Sequence, residues 1–232
     1  MKLTPGQKHK ARIQAERAAE AAQAARLNAD PAAAANNDAS LRLLDDAVLA
    51  RVKAVSAIPQ GVARVEAKKR ALLEFLPHVD ELLTSNAAVE SLAFFWCMIW
   101  SADVGDIATL MRLGQYATAR NLMMPAPFGS TYSVKQFLAD QIIDWATVEV
   151  KNDRSTAPYF DDLYEYIFVK KWAVHDITKA KYHKQKALIL ESEQKFATAL
   201  EEAKKAEEIA GQKAMVKTLI ARLTKAIAAM EE

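Results

Sequence analysis

Four aspartates in the middle of the chain could supply the carboxylates of a metal-dependent active site. Asp103 and Asp106 flank Gly105 directly after the most apolar segment, and Asp140 and Asp144 are one helical turn apart. Catalytic two-metal sites need several carboxylates that converge on the metal ions. A second interpretation needs no metal: Gly105 ends one helix in the left-handed conformation, and Asp106 caps the next helix. We favour the second interpretation, because an acidic N-cap is also stabilised by the helix dipole.

Lysine and arginine are concentrated in the first third of the chain. Residues 1–70 contain 13 basic and 7 acidic residues, whereas residues 71–169 contain 5 basic and 13 acidic residues. The segment 170–190 is basic again, with six lysines and one aspartate. A basic end beside an acidic centre indicates that one end meets a polyanion, unless both are ordinary solvated helix faces.

Other kinds of catalytic site receive no support from the sequence. The six glycines are spread singly, so a glycine-rich phosphate loop is excluded. The four histidines show no ligand spacing on a common helix face, and Cys97 lies in the apolar run LAFFWCMIW, which is typical of a core. We therefore predict no catalytic residue and no cofactor. Mg²⁺ would be required only if the four aspartates form a metal-dependent active site.

Composition predicts an all-α protein. Half of the 232 residues are hydrophobic, and glycine and proline are scarce. A single cysteine fits a reducing compartment, the polar N-terminus does not resemble a signal peptide, and the longest apolar run is about half of a membrane span. These features favour a soluble protein of the cytoplasm that does not interact with a membrane.

Hydrophobic periodicity divides the chain into four predicted regions. Residues 1–39 are expected to form a basic helical arm and a flexible linker. Residues 40–76 are expected to form a helical hairpin that breaks at residues 58–61 and binds DNA through the lysines and arginines of its second helix. A central helical region, 77–150, follows Pro77, where we expect a helix boundary. Residues 151–232 contain small apolar residues at helical spacing, similar to a tetratricopeptide-type hairpin suited to partner docking. The helices after Pro77 are expected near residues 78–84, 87–102, 106–122, 132–148, 159–171, 178–192, 195–210 and 213–230.

Several segments, in this order, resemble the small terminase subunit of peduovirus-type tailed phages and prophages. They are TPGQKHKARIQAERAA at the N-terminus, VKAVSAI and KKRALLEFLPHV in the hairpin, and the central pattern W-x-x-D-x-G-D-I followed by an Ala-rich helix and L-x-M-P. The central pattern is the most specific of these. One proline of the family's Leu-Pro-x-x-x-Pro-x-Val segment is absent, since Glu74, Phe75 and Leu76 precede Pro77.

The resemblance implies a role in viral DNA packaging. A small subunit binds the packaging, cohesive-end site on double-stranded DNA as a homo-oligomer, expected to be a ring. It delivers the DNA to a large terminase subunit that carries the ATPase, in the cytoplasm of the bacterial host and not in the mature virion. The portal or procapsid is a further potential partner.

The charge pattern of the chain and the resemblance together suggest roles for individual residues. The DNA-binding candidates are the basic residues of the arm and the hairpin: Lys8, Lys10, Arg12, Arg17, Arg64, Lys68, Lys69 and Arg70. The oligomer-core candidates are the large apolar residues of the central helix: Phe94, Phe95, Trp96, Ile99 and Trp100. Family members are often described as the endonuclease subunit, and under that alternative the four aspartates would be the catalytic candidates. A helical-repeat adaptor without DNA binding is the third alternative.

Overall fold

The computed structural model describes residues 31–84, 91–125 and 132–231, and these ranges contain nine α-helices and no β-strand. The all-α prediction is confirmed. The helices, in chain order, are α1 (Pro31–Ser56), α2 (Val62–Thr84), α3 (Leu92–Val104), α4 (Ile107–Ala119), α5 (Val134–Lys151), α6 (Tyr159–Phe168), α7 (Asp176–Ser192), α8 (Phe196–Ala210) and α9 (Lys217–Glu231). A short 3₁₀ turn, Gly211–Ala214, joins α8 to α9. None of the helices in the described ranges is long and apolar enough to cross a membrane.

Helix α1 begins at Pro31, whereas the sequence predicted a linker up to Ser40. Proline fits the first position of a helix, and the alanines that follow it have the highest helix propensity. The chain divides into two compact units, residues 1–49 and 50–232. The boundaries of the four predicted regions stay a prediction.

Within the second unit, most helices pack against their neighbours in the chain. Helix α2 lies on α3, α3 on α4, and α4 on α5. Helix α5 contacts both α6 and α7, and α7, α8 and α9 pack in series. Because α3 packs on α4 and α7 packs on α8, a short turn is sufficient to connect each of these two pairs.

Helix α2 continues through Pro77, so the helix boundary expected there is wrong. Proline in a helix interior removes one backbone hydrogen bond and favours a kink. Packing offsets this cost, since Phe75 and Val79, on either side of Pro77, are both buried. The Phe75 ring lies 6.1 Å from the Trp100 ring of α3, centroid to centroid. Tertiary contacts with α3 therefore allow α2 to continue past Pro77 to Thr84.

Helices α4 and α5 cross closely at Gly114. A β-carbon at this position would collide with the buried side chain of Leu138. The absence of a side chain thus lets Leu138 lie directly against the backbone of α4.

The predicted C-terminal hairpin forms from α7 and α8. Ala187 and Leu190 share one buried cluster with Ala199 and Ala203, as their spacing indicated. Helix α9 adds Leu219 to the same cluster. The tetratricopeptide likeness itself stays a prediction.

Candidate nucleic-acid interface

Arg64 is the first basic residue of α2, and its guanidinium binds backbone oxygens at the C-terminal end of α1. Its Nη2 donates to the backbone oxygen of Ser56 at 3.0 Å, and its Nε donates to the backbone oxygen of Ile58. Carbonyl groups at the end of a helix lack partners within the helix and carry partial negative charge, so a nearby cation stabilises them. Arg64 therefore has a structural role in the turn between α1 and α2.

Lys68 also has a partner within the chain. Its Nζ lies 2.7 Å from Oδ2 of Asp103, and this ion pair joins α2 to the last turn of α3. A predicted DNA contact, Lys68, is thus paired with Asp103, which would be catalytic only under the endonuclease alternative.

Lys69 and Arg70 form the exposed basic surface of α2. The Nζ of Lys69 lies 2.8 Å from Oε1 of Glu66, and this hydrogen bond lowers the pKa of Glu66. An exposed ion pair of this kind contributes little to stability, so Lys69 can exchange Glu66 for a phosphate. Arg70 has no ion-pair partner within residues 31–84, 91–125 and 132–231. The four cations of the predicted arm lie outside the described residues: Lys8, Lys10, Arg12 and Arg17.

The turn between α3 and α4 has the helix stop and the N-cap that the sequence predicted. Gly105 has φ 78° and ψ 18°, which is the left-handed conformation that ends a helix. The backbone N–H of Asp106 donates to the oxygen of Ser101 at 2.8 Å. Oδ1 of Asp106 accepts a hydrogen bond from the backbone N–H of Thr109 at 3.1 Å, as an N-cap does.

Asp140 and Asp144 each contact α7. Oδ1 of Asp140 accepts hydrogen bonds from Gln136 at 2.9 Å and from the Thr178 hydroxyl at 3.0 Å, and the carboxylate of Asp144 lies 3.6 Å from Nζ of Lys181. Across the described ranges, no three His, Cys, Asp or Glu side chains lie close enough together to hold a metal ion. In the described ranges, the four aspartates therefore do not converge in one metal-binding cluster.

A buried polar cluster that the sequence did not predict joins α6, α7 and α8. Oε2 of Glu202 accepts a hydrogen bond from the Tyr164 hydroxyl at 2.7 Å and lies 2.7 Å from Nδ1 of His183. Nζ of Lys205 lies 2.6 Å from Oε1. Burial alone raises the pKa of Glu202, but the hydrogen bonds from His183, Lys205 and Tyr164 outweigh it and lower the pKa to about 2.

One sequence signal could have revealed this cluster. Glu202 lies between Ala199, Ala203 and Ala206, on the stripe of small residues by which α8 is buried. An acidic residue on such a stripe needs partners, because an unpaired buried charge is costly.

The predicted oligomer core is largely enclosed by its own chain. Phe94, Phe95 and Trp100 are at most 2% exposed, which places them in the core of the single chain. Their role in an oligomer core stays a prediction. Trp96 and Ile99 are half-buried, and their contact with another subunit stays a prediction.

Burial determines the chemistry of Cys97. The thiol is completely buried, and this burial raises its pKa to about 12. A thiol that does not ionise near neutral pH is a poor nucleophile. Cys97 is therefore a core residue, as its apolar neighbours indicated.

Comparisons with known proteins give a consistent result. Residues 46–177, more than half of the chain, match the family model for the phage small terminase subunit. The "Probable terminase, endonuclease subunit" of Haemophilus phage HP1 (strain HP1c1) is 28% identical over 149 residues, which are 64% of this chain and 52% of that relative. The chain thus spans about half the length of the curated relative it matches. No solved structure matches the chain.

Proposed function

This chain belongs to the phage small terminase subunit family, and we propose that it binds the packaging site of double-stranded viral DNA as an oligomer. It then brings the DNA to a large terminase subunit that carries the ATPase. The observation that carries this proposal is the family match over residues 46–177, which includes the exposed cations of α2 and the turn at Gly105. The protein acts in the cytoplasm of the bacterial host and is not retained in the mature virion.

Phosphate contacts come from Lys69 and Arg70, with the cations of the N-terminal arm. Lysine and arginine release counterions from DNA when they bind phosphates, so affinity depends steeply on salt. Phosphate contacts position a protein on DNA without reading its sequence. Contacts of Lys69 and Arg70 with phosphates would therefore position the protein on the duplex without selecting its sequence.

A binding assay on the purified chain tests this function. A labelled duplex that contains the packaging site is titrated by fluorescence anisotropy at several salt concentrations, and the mass of the protein and of its complex is measured by light scattering. We expect an oligomer whose log affinity falls linearly with log salt. A protein that does not bind the duplex at low salt is instead the helical adaptor without DNA binding.

Endonuclease activity is a second candidate, and the name of the Haemophilus phage relative favours it. If the isolated chain cuts DNA, the reaction requires Mg²⁺ and carboxylates, and Asp103, Asp106, Asp140 and Asp144 are the first residues to replace. Incubation of the chain with its packaging site and Mg²⁺ or Mn²⁺, with and without the large subunit, separates the candidates. Cutting by the isolated chain that is lost in Asp103→Asn or Asp140→Asn, with the fold intact, favours this candidate.

A further inference from the structure

Two stacked rings form a rigid surface where α6 ends. The rings of Tyr166 and Trp172 are 4.8 Å apart, centroid to centroid, and 11° from parallel. The backbone N–H of Trp172 donates to the backbone oxygen of Tyr166 at 3.0 Å, so the main chain holds the two rings together. Nε2 of Gln115, on α4, donates to the Tyr166 hydroxyl at 3.3 Å. We name Tyr166 and Trp172 the ring platform; both residues are half-buried.

Lysines surround the ring platform. Nζ of Lys170 lies 4.3 Å from the Tyr166 ring centroid, and Nζ of Lys135 lies 5.7 Å from that of Trp172. Lys171 is exposed beside them. In the part of the chain that the structure describes, Lys135 and Lys171 have no carboxylate partner.

Two carboxylates close to the ring platform in sequence are each paired with a lysine. Glu165 lies 3.3 Å from Nζ of Lys170, and Asp176 lies 2.9 Å from Nζ of Lys179. The surface is therefore basic even after these two ion pairs are taken into account.

Trp172 lines two open cavities. The first, of about 360 Å³, is lined by Gln115, Lys135 and Tyr166, and the second, of about 530 Å³, is lined by Lys171 and Phe168. Both volumes lie within the range of about 300 to 1,000 Å³ that is typical of small-molecule pockets. Each cavity thus combines an aromatic wall with a lysine that has no carboxylate partner in the described ranges.

We propose that the ring platform binds an unpaired segment of a DNA strand, with bases against the rings and phosphates on Lys135 and Lys171. Proteins that bind single strands combine aromatic rings, on which bases stack, with cations that follow the backbone. An exposed contact between an ammonium and a ring is weak, so a base can displace the lysine, which remains close enough to contact the phosphate. An acidic peptide would use the lysines but would gain little from the rings. The inference rests on the proposed function only in the choice of DNA over RNA.

The experiment uses the full chain and a labelled oligothymidylate of about 12 nucleotides, within the range of known single-strand sites. We expect Trp172→Ala to weaken binding roughly tenfold or more, because it removes the face on which a base stacks. Trp145→Ala is the matched control, since Trp145 is also half-buried and packs against one tyrosine ring, that of Tyr159. We expect the control to bind the oligonucleotide as the unaltered chain does.

A second variant leaves the rings in place and keeps the test valid if Trp172→Ala does not fold. Lys135→Ala combined with Lys171→Ala should lower the slope of log affinity against log salt by about 1.4, the value for two phosphate contacts on a single strand. An unchanged slope overturns the proposal. Equal affinity of a folded Trp172→Ala variant also overturns it, as does displacement of the oligonucleotide by polyglutamate or thymidine monophosphate at equal concentration.

Duplex binding is measured on the same variants. If Trp172→Ala loses the single strand but keeps the packaging-site duplex, both proposals stand. If the unaltered chain does not bind the duplex but binds the single strand through Trp172, the proposed function fails and the ring platform stands.

Discussion

The ammonium of Lys68 lies 2.7 Å from the carboxylate of Asp103, so the basic helix α2 is bound to the end of α3 by one of its own cations. This contact separates the four cations of α2 into two groups. Arg64 and Lys68 stabilise the fold, whereas Lys69 and Arg70 remain on the surface for a phosphate.

The first prediction concerns the exposed cations of α2. Charge reversal in Lys69→Glu with Arg70→Glu should weaken binding to the packaging-site duplex and lower the salt slope by about 2, because two phosphate contacts are lost. Lys213→Glu with Lys217→Glu is the matched control, since these lysines are also exposed and produce the same change in net charge. Equal loss in both double variants would mean that net charge, and not this surface, determines affinity.

The second prediction concerns the ion pair between Lys68 and Asp103. A double-mutant cycle with Lys68→Ala and Asp103→Ala should give a coupling free energy of about 0.2 to 1 kcal/mol, because both side chains are partly exposed and water screens the pair. The free energy of unfolding is measured in urea. A coupling energy of zero would show that the pair does not form in solution.

The turn at Gly105 shows what the sequence could predict. The helix stop at Gly105 and the N-cap at Asp106 can be predicted from neighbouring residues, and the structure confirms both. The residues that join α7 and α8 were also predictable, because their spacing follows the helical period. The local pattern was therefore sufficient to predict these features.

Contacts that depend on distant residues could not be predicted in the same way. Packing against Trp100 carries α2 through Pro77, a residue that normally ends a helix. The pair between Lys68 and Asp103 joins residues 35 positions apart. The burial of Phe94 within the single chain depends on how α3 packs, which the apolar run alone does not specify.

The third prediction concerns the N-cap of α4. Asp106→Ala should lower the free energy of unfolding by about 1 kcal/mol, because the backbone N–H of Thr109 loses its acceptor. Asp144→Ala is the control, since its contact with Lys181 at 3.6 Å is exposed and contributes little. If both variants unfold at the same urea concentration, the cap contributes nothing measurable.

The fourth prediction concerns the crossing of α4 and α5. Gly114→Ala should destabilise the protein by about 1 to 3 kcal/mol, because the new methyl group overlaps the buried side chain of Leu138. Combination with Leu138→Ala should cost less than the sum of the two single changes, since the shorter side chain removes the overlap. Strict additivity in urea unfolding would contradict this close crossing.

The fifth prediction concerns the pH dependence of the cluster around Glu202. The pKa of Glu202 in the folded chain is about 2, below its ordinary value of 4.5. Its contribution to stability is therefore complete above pH 4.5 and is lost as the pH falls through 2. The shift corresponds to at most about 3 kcal/mol, of which about 2 kcal/mol should be lost by pH 3.

Urea unfolding at several pH values between 6 and 3 measures this loss. The stability advantage of the unaltered chain over Glu202→Gln should shrink as the pH falls, because a protonated Glu202 and glutamine are both neutral. Glu208→Gln is the control, since Glu208 is exposed on the same helix and its replacement should not change the pH dependence. A pH-independent difference between the unaltered chain and Glu202→Gln would show that the contacts from Tyr164, His183 and Lys205 do not hold Glu202 in its charged form.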